Sequence, residues 1–191
     1  QVTKETSRLL NTPTWTPDGQ YVLARKHFVD TRSLGAGEIW MYHVNGGGKG
    51  VQLTERPNWT ANIGEPVADP QGRFVYFVAS TAFDYNKNVY ESIYWVDRYD
   101  MQKGRRSTFV RGAGGSVRPA VSPDGKYLSF IRRVGLKSVL FLREIATGRE
   151  WPIYDGLTHD QQETWAVYGT YPGYAWTPDG ISIVITAMGK F

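Results

Sequence analysis

Three histidines, His27, His43 and His159, together with the carboxylates, are the residues from which a metal centre in this chain would be assembled, because cysteine is absent. No two histidines stand at ligand spacing, so neither a structural nor a catalytic zinc site is expected. Asp84-Tyr-Asn-Lys-Asn88 alternates oxygen-bearing side chains as a calcium loop does. It lacks the central glycine and the distal glutamate, and reads as a solvated insertion. Gly46-Gly-Gly-Lys-Gly50 has a phosphate-loop composition, but Lys49 is followed by glycine and then a strand, not by Ser/Thr and a helix. A hairpin connection is expected there. Ser116 follows Gly114-Gly115 without a Gly-x-Ser-x-Gly elbow, and no histidine and aspartate are pointed towards it. Asn58-Trp-Thr60 is a glycosylation sequon, relevant only to a secreted eukaryotic chain.

One stretch has the composition of a contact surface. Residues 158–174 are polar and aromatic, and Trp165, Tyr168, Tyr171 and Tyr174 could stack on a ligand or dock a neighbouring domain. His159, Gln161, Gln162 and Glu163 would supply polar contacts beside them. Three roles are open: filling a gap between structural units, which comes first, docking a domain, or binding a small ligand. The basic residues Lys103, Arg105, Arg106, Arg111, Arg118, Arg132 and Arg133 account for a net charge of +4. Acids are interspersed and no single basic face emerges, so no nucleic-acid partner is expected.

The elements that must position these residues recur. Thr16-Pro17-Asp18-Gly19, Asp69-Pro70-Gln71-Gly72, Ser122-Pro123-Asp124-Gly125 and Thr177-Pro178-Asp179-Gly180 each precede an apolar strand, at intervals of 53, 53 and 55 residues. Proline presets a type I turn, the first residue bonds the backbone, and glycine takes the left-handed conformation. A fixed period of this size marks a repeat architecture. Counting from each glycine, the third and fifth residues are Val22 and Ala24, Val75 and Phe77, Leu128 and Phe130, Ile183 and Ile185. All eight are apolar. The opposite face carries Leu23, Tyr76, Val78, Ile131 and Val184, mixed with Arg25 and Ser129, so these strands should be covered on both sides.

Four strands per period make a propeller blade. Repeats are placed at about 11–63, 64–116 and 117–172, with half a blade at 173–191; Thr3–Leu10 is expected to be a strand from a neighbouring blade. The second repeat's returning strand is expected at Glu91–Val96. The fold class is therefore all-β, a partial, open propeller of about three and a half four-stranded blades; a four-bladed ring is the alternative. Aromatic content of 14% and 21 glycines suit turn-rich β structure. No apolar run is long enough to span a membrane, and no signal peptide is read. Exposed blade faces should associate, with further blades or with another chain.

The recurring Ser/Thr-Pro-Asp-Gly before an apolar strand resembles the repeat of TolB-like propellers, which also occurs in propeller domains of prolyl-oligopeptidase-type peptidases. His159 to Gly180 is similar to a stretch of bacterial proteins in which such a propeller precedes a metal-dependent amidohydrolase domain. That resemblance implies an accessory propeller, periplasmic or secreted, that scaffolds a hydrolase and restricts access to it. It implies no cofactor in this chain, and a divalent metal such as zinc only in a downstream hydrolase domain. No residue matches that domain's His-x-His signature, so no catalytic residue is assigned. The alternatives are a stand-alone protein- or peptide-binding propeller of the bacterial envelope and the propeller of a serine peptidase.

Overall fold

A computed structural model describes residues 1–27, 37–58, 61–80, 94–157 and 173–191. The four tetrapeptides fold into the same turn. The glycine amide donates to the carbonyl of the first residue at 2.9 Å (Gly19), 3.0 Å (Gly72), 2.8 Å (Gly125) and 2.8 Å (Gly180). The first residue's side chain then accepts the amide five positions on: Tyr21 to Thr16, Phe74 to Asp69, Tyr127 to Ser122 and Ser182 to Thr177. Asp18, Asp124 and Asp179 accept from the hydroxyl of Thr16, Ser122 and Thr177. Gln71 has no carboxylate to offer, and Asp69 itself supplies the acid in that turn.

Each turn launches the second strand of an antiparallel sheet. Strands β1 (Leu10–Trp15), β2 (Tyr21–His27), β3 (Gly37–His43) and β4 (Val51–Gln52) form the first, in that order. The second holds β5 (Asn62–Ala68), β6 (Phe74–Ser80), β7 (Trp95–Asp100) and β8 (Arg105–Val110); the third holds β9 (Val117–Val121), β10 (Tyr127–Val134), β11 (Lys137–Glu144) and β12 (Glu150–Tyr154). A fourth sheet has two strands, β13 (Tyr174–Trp176) and β14 (Ile183–Ile185). The described residues contain no helix.

The sheets stack face to face, and the core lies between them. Val75, Phe77 and Ala79 on one face of β6 meet Leu23 and Ile39 of the first sheet. Tyr76 on the other face packs with Leu128 and Phe130 of the third, and Val78 with Val117 and Ile131. Ile183 and Ile185 close against Ile131 and Leu140. The first strands β1, β5, β9 and β13 touch in series, which puts them at a common axis. This is an open propeller of three four-stranded blades and half of a fourth.

Three boundaries differ from expectation. Residues 1–9 form no strand; Lys4 donates its amide to Gly48 O and Gly47 donates to Val2 O, within the first repeat. The returning strand of the second repeat lies at Trp95–Asp100. Polar Asp97 continues it because Arg106 of β8 pairs with that carboxylate at 2.5 Å. The first blade's rim strand, expected over Val51–Thr54, is shortened to Val51–Gln52, and the Thr54 hydroxyl accepts the Ile39 amide at 2.9 Å.

Two glycines test this geometry. Gly19 sits at φ +68° in open space, and Gly114 at φ +81° where a β-carbon would lie 2.0 Å from Arg133 O. In urea unfolding, Gly19→Ala should cost about 1 kcal/mol, the left-handed penalty alone. Gly114→Ala should cost about 3 kcal/mol or more, because backbone must also move. Equal costs would contradict the close approach of these segments.

Candidate functional site

Of the residues expected to form a contact surface, His159, Gln161, Gln162, Glu163, Trp165, Tyr168 and Tyr171 lie outside the described residues, as does Asp84–Asn88. Tyr174 lies within them. Its ring packs against the cluster of Val117, Ile131 and Leu140, and its hydroxyl donates to Arg118 O. Burial holds that phenol protonated well above the usual tyrosine range.

The other candidates are dispersed. His27 is buried at the end of β2 beside the Asn11 amide. His43 stacks edge-on to Tyr21 at 5.1 Å and accepts the Asn45 amide. Ser116 is fully buried, donating to Gly115 O and accepting from Arg132. Arg106 pairs with Asp97, Arg132 with Glu150, and Arg111 covers the Trp95 ring, so these cations sit in separate pairs. Among the described residues no three His, Asp or Glu side chains converge on one point.

What does converge lies at the axis. In β1, β5 and β9 the ladder breaks at Thr12-Pro13, Glu65-Pro66 and Arg118-Pro119, each a bulge opposite the second strand. Proline lacks the N–H a ladder needs. The preceding residue is left-handed in all three: Thr12 at φ 47°, Glu65 at 53° and Arg118 at 55°. Gly173 holds the corresponding place before β13. These bulges and Tyr174 enclose a pocket of about 340 Å³. Within it the Glu65 carboxylate accepts the Arg118 amide at 2.9 Å and lies 3.0 Å from the Arg118 guanidinium, joining blade two to blade three. Burial pushes the Glu65 carboxyl up to about 7, against the opposing pull of Arg118 and, more weakly, Arg25.

Sequence reasoning passed over Glu65, and singled out Arg118 only as one of the dispersed basic residues. A signal was present: Pro13, Pro66 and Pro119 keep the same interval of 53 residues as the turn prolines.

No protein-family model matches the chain, and no curated protein matches it in sequence. Solved structures do match. TolB from Acinetobacter baumannii aligns with a TM-score of 0.64 at 18% identity, over 95% of this chain and 41% of that one. Oligogalacturonate lyase from Vibrio parahaemolyticus aligns with 0.60 at 12% identity, over 93% and 45%. A nidogen/laminin complex chain aligns with 0.61 at 10% identity, over 96% and 59%.

The chain has the TolB-like propeller fold.

It spans less than half the length of the TolB and lyase chains it matches. At such identities the likeness is one of fold, and fold does not carry activity. In this TolB-like propeller the chemistry on show is charge held at the axis: one buried carboxylate, one guanidinium, and strained backbone on both.

That charge has a sign in stability. Glu65 moves from an ordinary carboxyl value of 4.5 to about 7 on folding, so the native state binds the proton more tightly. Stability from this group is full below about 4.5 and is lost as pH rises through about 7. Between those limits the stability of Glu65→Gln relative to the parent should rise by about 1.4 kcal/mol per pH unit. Denaturant melts at pH 4.5, 5.5, 6.5 and 7.5 measure this; parallel curves for the two proteins would contradict it.

Proposed function

We propose that this chain is a non-catalytic TolB-like propeller module of a larger bacterial protein, whose open side is covered by further blades. We further propose that it scaffolds a metal-dependent amidohydrolase domain and limits what reaches that domain's active site, in the periplasm or outside the cell. The half blade carries the first part. At the junction of blades two and three, Tyr76, Val96 and Val110 are covered by Leu128, Phe130 and Phe141 of the next sheet. At the open side, Leu140, Leu142 and Ile153 of blade three instead line a groove of about 680 Å³ beside β14. Ile181, Val184 and Met188 are at least half exposed there.

Apolar area is worth about 25 cal/mol per Å² when removed from water, so a contiguous rim of this kind favours association. The TolB and lyase chains are more than twice as long, which supports further blades as the covering. The amidohydrolase half rests on the resemblance of residues 159–180 alone. The described residues contain no helix long and apolar enough to cross a membrane.

In sedimentation velocity the isolated chain should associate with increasing concentration and bind a hydrophobic dye. Val184→Lys combined with Met188→Lys should weaken both effects while leaving the far-ultraviolet β spectrum intact. A wild-type chain that stays monomeric and dye-free would overturn the module proposal. The reading frame around the chain tests the other half: a downstream His-x-His strand supports the amidohydrolase, and a frame without one overturns it.

A further inference from the structure

We propose that the axial pocket is a binding site for a small organic carboxylate, closed in the state described here by Glu65, whose carboxyl occupies the place the ligand would take. The pocket already holds a carboxylate, so its complementarity can be read directly. Arg118 N donates to Glu65 Oε2 at 2.9 Å, while Arg118 Nη1 stands 3.0 Å from Oε1. A backbone amide thus bonds one oxygen and a guanidinium charge stands against the other, which makes no hydrogen bond of its own; an amide and a cation set side by side in this way suit a planar carboxylate.

This fork is built on strained backbone. Glu65 and Arg118 are both left-handed without being glycine, at a cost of about 1–3 kcal/mol each. The bulge at Arg118 takes its amide out of the ladder with β10 and presents it to the pocket. The Tyr174 hydroxyl holds the carbonyl of the same residue from blade four, fixing the fork from the other side. Thr12 contributes a third element from blade one. Its hydroxyl is buried at the pocket wall with no hydrogen-bond partner among the described residues, and is free to meet a ligand atom.

Glu65 is held in place by few charges. Arg118 faces it from β9 and Tyr174 from β13. From β2, Arg25 bonds Asn62 and His27 lies beside Asn11. Tyr76 of β6 is turned into the core between blades two and three, and β1 adds no titratable group. Glu38 of β3 is occupied by Arg56. An incoming carboxylate can replace Glu65 at Arg118 only if the buried side chain gives up its charge, so ligand uptake is coupled to uptake of one proton. Affinity should therefore fall tenfold per pH unit once pH exceeds the Glu65 value of about 7.

Trifluoroacetate is a suitable probe because it stays ionised throughout this range, and its binding can be followed by ¹⁹F NMR. The parent chain should bind it at pH 6 and weaken tenfold from pH 7.5 to 8.5. Glu65→Gln keeps the shape without the charge. It should bind with little pH dependence and, at pH 8.5, about 30-fold more tightly than the parent. Arg118→Gln should lose binding at every pH while Glu65→Gln retains it. Absence of binding in both the parent and Glu65→Gln would overturn the proposal. So would the same pH dependence in both, since other cations on the surface would then be responsible.

Discussion

The middle sheet of this molecule is oily on both faces, and both faces are covered by its neighbours. Phe77 and Tyr76 are neighbours on β6, point opposite ways, and are both essentially inaccessible to water. A sandwich would satisfy one face of each sheet and leave the other wet. Stacking sheets in series around an axis satisfies both, and the repeat of 53 residues is the sequence form of that solution. Burying one phenylalanine is worth about 2–3 kcal/mol, whereas an exposed ion pair is worth about 0–1. The stack is therefore held by its faces, and charge acts on position.

Charge does so at the rim. The third strand of each complete blade is pinned near its outer edge: Glu38 to Arg56, Asp97 to Arg106, Arg143 to Glu150. Acid and base exchange places from blade to blade, so the pairing is what recurs and not the residue type. The same arginines cover aromatic rings, Arg106 over Phe77 and Arg143 over Phe109, which places a cation at the border between core and solvent. These arginines are thus distributed between blades, each beside its own carboxylate.

The parts of this fold legible in the sequence are those set by local chemistry. Pro17, Pro70, Pro123 and Pro178 with their glycines define the turns, and alternation after them gives the faces, because both depend on residues close in the chain. Strand limits depend on distant partners and were read less well: Asp97 looks like the end of a strand until Arg106 is seen beside it. Of the expected contact surface, Tyr174 alone is described, and it lies beside the axial pocket. Glu65 and Arg118 stand 53 residues apart and touch only because the repeat rotates one blade onto the next. Nothing local in either residue announces the pair; only the recurrence of proline after each could have done so.

Strain and repetition together locate what the fold alone does not require. Ladder geometry alone would be served by ordinary strand residues at positions 12, 65 and 118, or by glycine wherever a left-handed bulge is wanted. The chain instead keeps threonine, glutamate and arginine in a conformation that disfavours all three. Their three side chains differ in charge, so packing alone does not dictate them in the way it dictates Val75, Leu128 and Ile183. A feature that repeats in backbone but varies in side chain is where a stacked architecture can differ from its relatives without disturbing the stack. In this propeller that place is the axis, where the bulges leave backbone groups outside the ladder and bring one acid against one base.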